Sequence, residues 1–214
     1  MKQLKIVLFA NTDWYLYNFR RNLIRALQET YEVVAVAGPD SYASRLALLC
    51  DLRTIPYERA GISLTGEIGS LLHCVQIYRE LRPTYVLNFT TRANIFSALA
   101  TLGTDIYVIN NVSGLGRGFG EGSSRLLRTM MAGLYRLAGS LTDFTFYQNR
   151  RDMALGLHMG FSSPQASQLL PGSGVDLSRF QAAPLPRIPP TRFLHLARLM
   201  PEKGTFDFLQ AAQR

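Results

Sequence analysis

Four stretches of the chain carry residue types and spacings that could do chemistry. Asn11, Thr12, Asp13 and Trp14 follow an apolar run at residues 4–10. An indole beside an amide and a carboxylate suits a sugar, which stacks on the ring and offers hydroxyls to the polar groups. Asp13 is the candidate base or orienting group, although the same carboxylate would serve as a helix cap. Trp14 would equally serve packing. Thr90, Thr91 and Arg92 form a second polar cluster. Residues 110–122 form a Gly-rich stretch that includes Gly114, Gly116 and Arg117. Glycine lets a ligand approach the backbone closely, and arginine pairs with phosphate. No Gly-Lys-Ser/Thr follows, so this is not a P-loop, and a plain connection would read the same way. Arg198 and Lys203 stand at the start of an expected helix, an anion site suited to a diphosphate.

Such groups need elements to position them. Runs near residues 4–10, 31–37, 53–57, 85–89, 105–110, 144–148 and 168–171 read as strands. The stretches 15–29, 41–50, 66–81, 92–102, 123–140 and 150–159 read as helices, the third stopped by Arg82-Pro83. Strict alternation predicts βαβ units and a doubly wound, Rossmann-like α/β domain with a parallel sheet. Ligands of such sheets bind beyond the carboxyl ends of the strands. The loops at 11–14, 90–92 and 114–117 are therefore expected to converge on one crevice.

The composition changes after residue 180. Pro184, Pro186, Pro189 and Pro190 mark a stiff linker over 181–191. Residues 192–197 then read as a strand and 203–213 as a helix, the opening of a second Rossmann-like domain. One strand and one helix cannot bury a core, so this second domain is expected to be incomplete within 192–214, and the chain to be a truncated product, a fragment or one half of a split enzyme.

Composition excludes several classes. The 214 residues are 47% hydrophobic and 18% charged, which is a core-building balance. Lys and Arg total 23 against 15 Asp and Glu, and the net charge of +8 favours phosphorylated or polyanionic partners. Cys50 and Cys74 lack metal-ligand spacing and suit a reduced, cytoplasmic protein, so no structural zinc is expected. The first strand lacks the glycine fingerprint of nicotinamide-dependent dehydrogenases. No Gly-x-Ser-x-Gly elbow exists for hydrolase chemistry. His73, His158 and His195 have no carboxylate or cysteine partner at informative spacing and read as structural. Nucleic acid is not an expected partner, since no base-reading helix or stacking platform accompanies the charge. No window approaches the roughly 18–20 apolar residues of a membrane span, and the start is no signal peptide. A soluble chain, or one resting on a membrane, is expected.

The helix over 123–141 is amphipathic. Leu126, Leu127, Met130, Met131, Leu134, Leu137, Ala138 and Leu141 share one side, with Arg125, Arg128 and Arg136 opposite. Two readings stand: sheet packing with a basic solvated face, or contact with anionic lipid. Arg20, Arg21 and Arg25 form a second basic cluster open to the same two readings.

Two tail segments carry a family resemblance. Pro171-Gly172-Ser173-Gly174-Val175-Asp176, with Phe180 four residues on, and Ala197-Arg198-Leu199 followed by Lys203-Gly204 resemble the signature of glycosyltransferase family four. That family has the two-Rossmann-domain (GT-B) architecture. Val112-Ser113-Gly114-Leu115-Gly116, the loop at 11–14 and Tyr147-Gln148-Asn149 resemble bacterial members that build surface polysaccharides on lipid-diphosphate carriers. The resemblance covers essentially the whole chain.

It implies an amino-terminal domain that holds a lipid-diphosphate-linked glycan acceptor and a carboxyl-terminal domain that holds a UDP-sugar. Arg198 and Lys203 would bind the donor diphosphate, so that neither metal nor cofactor is needed. Asn11, Trp14, Thr90, Thr91, Arg92, Gly114, Gly116 and Arg117 would line the acceptor site, with Asp13 catalytic and Arg125, Arg128 and Arg136 on the membrane. The histidine that many members place after the fourth strand is missing from Asn88-Phe89-Thr90-Thr91-Arg92. The expected function is the acceptor half of a retaining glycosyltransferase, inactive alone, peripheral on the inner face of the plasma membrane. The alternative is a non-catalytic membrane-associated module that recruits a separate donor-binding chain.

Overall fold

Residues Ile6 to Ala10 are all buried, Val7 and Phe9 against one face of a sheet and Ile6, Leu8 and Ala10 against the other. A strand that is apolar on both sides belongs in the interior of a sheet covered on both faces. The computed structural model describes residues 3–56, 64–115, 124–184, 190, 192–197 and 203–213. The described elements are β1 (Lys5–Thr12), α1 (Asp13–Gln28), β2 (Glu32–Gly38), α2 (Ala43–Ala47), β3 (Asp51–Thr54) and α3 (Leu64–Leu81). Then follow β4 (Tyr85–Asn88), α4 (Thr91–Ala100), β5 (Tyr107–Val112), α5 (Arg125–Ser140), β6 (Phe144–Tyr147), α6 (Arg150–His158), β7 (Ser167–Leu169) and α7 (Thr205–Ala212).

The seven strands form one sheet in the order β3-β2-β1-β4-β5-β6-β7, and every neighbouring pair is parallel. This is the doubly wound, Rossmann-like fold expected from the alternation. The chain winds outward from β1 to β3, then returns to β4 on the other side of β1. That reversal opens a crevice at the carboxyl ends of β1 and β4.

Each face has its own core. Leu16 and Ile24 of α1 and Leu46 of α2 pack on Leu8, Ala35 and Phe89. Cys74 and Tyr78 of α3, Ala98 of α4 and Ala132 and Tyr135 of α5 pack with Val7, Val34 and Val108 on the opposite face. Two glycines set how closely helices approach. A Cβ on Gly139 of α5 would lie 2.1 Å from the carbonyl oxygen of Phe161, and one on Gly156 of α6 would lie 2.3 Å from the Tyr147 hydroxyl.

Helix ends follow their side chains. Thr12 caps α1 by accepting the Tyr15 N–H at 3.2 Å, and Asn149 caps α6 by accepting the Asp152 N–H at 2.8 Å. Arg82, with a φ of 47°, leaves α3 in the left-handed region directly before Pro83. Both cysteines are free and buried. No described helix is long and apolar enough to cross a membrane.

The chain divides into two compact units, Met1–Asp176 and Leu177–Arg214, so the first unit ends slightly before the residue 180 boundary expected from composition. In the second unit, α7 follows Gly204, whose φ is 70°. Residues 192–197 carry no strand, contrary to expectation. Phe193, Leu194 and Leu196 are exposed, and a strand exists only with a neighbour to hydrogen-bond. His195 instead stacks on Phe208 with ring centroids 5.1 Å apart, and its Nε2 lies 3.1 Å from the Thr205 hydroxyl. That is the structural role read for this histidine.

Candidate functional site

The crevice at the strand-order reversal is built from residues whose conformations their own sequence sets. The pairing of β1 with β2 shifts register between Ala10 and Thr12, leaving Asn11 out of the regular ladder. Such a bulge re-aims a side chain. Asn11 Oδ1 accepts a 2.7 Å hydrogen bond from Thr90 Oγ1. Thr90 stands at the cap position of α4 but makes no capping bond, so its hydroxyl serves the crevice. Two of the expected site residues thus meet directly. Thr91 opens α4, and its hydroxyl reaches the phenol of Tyr135, whose burial pushes the pKa up to about 12. Trp14 remains 45% exposed and lies edge-on to Phe19 with centroids 5.3 Å apart, leaving a ring face for stacking.

Other expected residues hold different positions. Asp13 is fully buried and is not the cap of α1, a role taken by Thr12. Its Oδ2 accepts the Asp40 N–H at 3.1 Å, while Asp40 Oδ2 accepts the Trp14 N–H at 2.8 Å. This reciprocal pair ties the start of α1 to the turn after β2, so burial corrects the expectation of a carboxylate presented to substrate. Arg92, expected to meet a ligand phosphate, forms an ion pair with Glu67 of α3 that offsets its charge. Gly114 is described with open space where a Cβ would stand, so sterics do not require glycine there. Gly116, Arg117 and Arg198 lie outside the described residues. Lys203 is exposed just before Gly204 and α7, at the helix start where it was expected.

The basic clusters also separate. Arg125, Arg128 and Arg136 are exposed on α5, with Arg136 Nε donating to the Met159 carbonyl at 2.8 Å. Of the apolar face, for which sheet packing and lipid contact were both open, Leu126, Met130 and Leu137 are exposed. Around the wheel they adjoin Arg125 and Arg136, so the outward face of α5 is apolar and basic side by side. The cluster of Arg20, Arg21 and Arg25 does not exist as a surface patch. Arg21 pairs with Asp176 at 2.9 Å, Arg25 is exposed, and Arg20 is buried at 5% exposure.

The sequence reading passed over a polar row beneath the crevice. Asn88 Nδ2 donates to Asn110 Oδ1 at 2.9 Å, and Gln148 Nε2 donates to Asn111 Oδ1 at 2.9 Å. Gln148 also donates to Ser173 Oγ at 3.1 Å, and Arg20 Nη2 donates to the same hydroxyl at 3.0 Å. The segment after β7 is thereby fastened across the carboxyl ends of β5 and β6 to α1. One signal was available. Arg20 lies four residues from Leu16 and four from Ile24, and both are fully buried, so a cation occupies the core-facing stripe of an amphipathic helix.

A hollow of about 310 Å³ lies at the opposite rim, near the amino ends of β6 and β7, beside Arg136, Thr142 and Ser162. Its hydroxyls already serve the protein: Thr142 donates to the Ala138 carbonyl, and Ser162 bonds Tyr147 and Ser167. The crevice remains the better candidate. Among the described residues, no three His, Cys, Asp or Glu side chains converge as metal ligands would.

The first unit has the Rossmann-like fold of the GT-B architecture, and solved structures share it. No family model and no curated protein matches the chain. A UDP-N-acetylglucosamine 2-epimerase from Rickettsia bellii is 15% identical with a TM-score of 0.59, over 83% of this chain and 47% of its own. HepE from Anabaena, solved with UDP and glucose, is 12% identical with a TM-score of 0.60, over 85% of this chain and 47% of its own. The lipopolysaccharide outer core galactosyltransferase WaaB, in its apo form, is 9% identical with a TM-score of 0.57, over 77% of this chain and 44% of its own. At these identities the likeness is one of fold. The chain spans about half the length of each.

Proposed function

We propose that this chain is the acceptor-binding half of a retaining glycosyltransferase that moves a sugar from a UDP-sugar to a lipid-linked glycan in surface-polysaccharide synthesis. The observation that carries the reading is the crevice at the β1/β4 reversal, which holds the Asn11–Thr90 pair, with the half-exposed ring of Trp14 on the helix that begins there. An aromatic face beside fixed amide and hydroxyl groups is the chemistry of a sugar site. The Pro-Gly-Ser-Gly-Val-Asp and Ala-Arg-Leu motifs support the same family, and of the proteins of like fold one is named as a UDP-N-acetylglucosamine 2-epimerase and another was solved with UDP-glucose.

In this reading Asn11, Trp14, Thr90 and Thr91 orient the acceptor glycan. Arg92, Gly114, Gly116 and Arg117 complete that wall. Arg198 and Lys203 hold the donor diphosphate and stabilise the charge that develops as UDP departs, which is a metal-independent strategy. The rest of the donor site is supplied by further polypeptide, in the same chain or a separate one. A cytoplasmic protein resting on the inner face of the plasma membrane would meet both substrates. The outward face of α5, with Arg125 and Arg136 beside Leu126, Met130 and Leu137, favours such contact and also supports the second reading. That reading is a membrane-associated module without catalysis that recruits a donor-binding chain.

The test is transfer of labelled sugar from a panel of UDP-sugars into extracted lipid-linked glycans, using this chain joined to a donor half. Labelled lipid that depends on Trp14 and Asn11 supports the enzyme. Membrane binding with no transfer from any UDP-sugar supports the module. Conversion of the UDP-sugar itself, with no acceptor labelled, would replace both by an epimerase-like reading.

A further inference from the structure

We propose that Arg20 and Ser173 form an anion site for the phosphate or diphosphate ester of the acceptor. The identity of the ligand as an acceptor rests on the glycosyltransferase reading; the site itself rests on the following geometry.

Arg20 is a cation without a counter-charge. Among the described residues its guanidinium meets only neutral oxygens: Nη2 donates to the Tyr15 hydroxyl at 3.1 Å and to Ser173 Oγ at 3.0 Å, and Nη1 to the Phe19 carbonyl at 3.5 Å. Its Nε is buried and has no hydrogen-bond partner. Among the described residues no carboxylate forms an ion pair with it, whereas its neighbour Arg21 has Asp176. Arginine does not shed its proton to escape burial. Burying an unpaired charge is costly, and stacking offsets only part of that cost. The guanidinium carbon lies 4.4 Å from the Phe89 ring centroid and 5.5 Å from that of Tyr15.

The side chain is directed at the crevice. Helical side chains lean toward the helix amino terminus, and α1 begins at the carboxyl end of β1. Phe89, on which the guanidinium stacks, is the first residue after β4. Ser173 then carries the site to the surface. Its Oγ accepts N–H groups from both Arg20 and Gln148, so its own proton must be donated elsewhere, and the residue is exposed. The turn that presents it is flanked by Gly172 and Gly174 with φ of 76° and 71°. A polarised hydroxyl proton backed by a buried guanidinium, with no acceptor for it among the described residues, selects an anion. Trp14 and Phe19, about half exposed on the same helix, supply apolar surface for the group esterified to that anion. Arg92 is held by Glu67, whereas Arg20 has no acidic partner among the described residues.

The test measures binding, not turnover. The whole 214-residue chain is titrated calorimetrically with inorganic pyrophosphate and with geranyl diphosphate, in wild type, Arg20→Gln, Arg20→Lys and Ser173→Ala. Both probes should bind wild type, geranyl diphosphate more tightly. Arg20→Gln should weaken both roughly ten-fold or more, with Arg20→Lys in between. Ser173→Ala decides the matter if Arg20→Gln fails to fold: it should weaken both probes and, because Arg20 and Gln148 lose an acceptor, lower the melting temperature modestly while the chain still folds. Absence of binding to wild type at millimolar probe, or equal binding by Ser173→Ala and wild type, overturns the proposal and leaves Arg20 as an anchor for the segment after β7. Sugar transfer is a separate outcome. Diphosphate binding without transfer sinks only the glycosyltransferase reading, and transfer without Arg20-dependent binding sinks only this site.

Discussion

Thr90 Oγ1 and Asn11 Oδ1 share a 2.7 Å hydrogen bond, although 79 residues separate them in the chain. The bond joins the carboxyl end of β1 to the residue that precedes α4, and it fixes the Asn11 amide through its oxygen. Thr90→Val keeps the shape and removes the donor. It should cost about 1 kcal/mol in urea unfolding and lower acceptor affinity as Asn11 loses its orientation. An unchanged unfolding midpoint would show that the two loops are held by other contacts.

Asp13 was the candidate base, and its burial reverses the balance between activity and stability. Asp13→Ala removes the acceptor of the Asp40 N–H and frees the start of α1 from the turn after β2. A loss of about 1–3 kcal/mol is expected, seen as a lower melting temperature. Retained stability with abolished transfer in a complete enzyme would restore the catalytic role.

Two glycines of the same helix should respond with opposite sign. Gly139→Ala drives a methyl group into the Phe161 carbonyl, where backbone must move, and should destabilise by about 1–3 kcal/mol. Gly133 is exposed in α5 and has open space for a Cβ, so Gly133→Ala should stabilise by about 1 kcal/mol. Thermal melts of the two variants decide it, and destabilisation by both would mean that α5 lies differently on the sheet.

Alkaline pH tests the cores. Desolvation raises the Cys74 thiol from 9.0 to about 12 and the Cys50 thiol from 9.0 to about 11. Below pH 9 both folded and unfolded chains keep these protons, and stability does not depend on them. Between pH 9 and about 11–12 the unfolded chain ionises first, so stability should fall as pH rises through that window. Urea midpoints at increasing pH measure the slope. Replacement of both cysteines by alanine should flatten part of it.

The outward face of α5 predicts lipid selectivity. Binding to phosphatidylglycerol vesicles should exceed binding to phosphatidylcholine and weaken with salt, each arginine contributing about 1 kcal/mol near the surface. Arg125→Gln with Arg136→Gln should remove the preference, and Leu126→Ser with Leu137→Ser should weaken binding to both. Equal binding to the two vesicle types would confine α5 to its packing role.

Much of the scaffold was legible because local signals agreed. Short apolar runs marked interior strands, and Arg82-Pro83 marked the end of α3, whereas the caps fell on Thr12 and Asn149 and not on the expected Asp13. The convergence of the loops at 11–14 and 90–92 follows from alternation alone, whereas the hydrogen bond between Asn11 and Thr90 does not. Charge was harder to place. Arg92, Arg21 and Arg20 look alike in sequence, yet one meets Glu67, one meets Asp176 and one is buried on Phe89. Those partners lie on other elements, so no local pattern reports them. The wheel for α5 likewise gave the apolar arc its width but not its fate, since only the position of the sheet decides which leucines are covered. A strand expected at 192–197 is absent for a related reason: its alternation is real, but a strand also needs a hydrogen-bonding partner, which its own sequence does not report.

The central place of β1 has a consequence for biosynthesis. It precedes both of its partners in the chain, yet Phe9 pairs with Val36 on one side and with Asn88 on the other. Until residue 88 has emerged, a growing chain holds β1 with one bare apolar edge, the kind of surface that recruits wrong partners. Slow, non-local pairing of that sort lengthens the exposed interval. A translation pause before β4 should therefore raise the demand for chaperones, whereas the same pause after β4 should leave the nascent sheet with its most apolar strand already sealed.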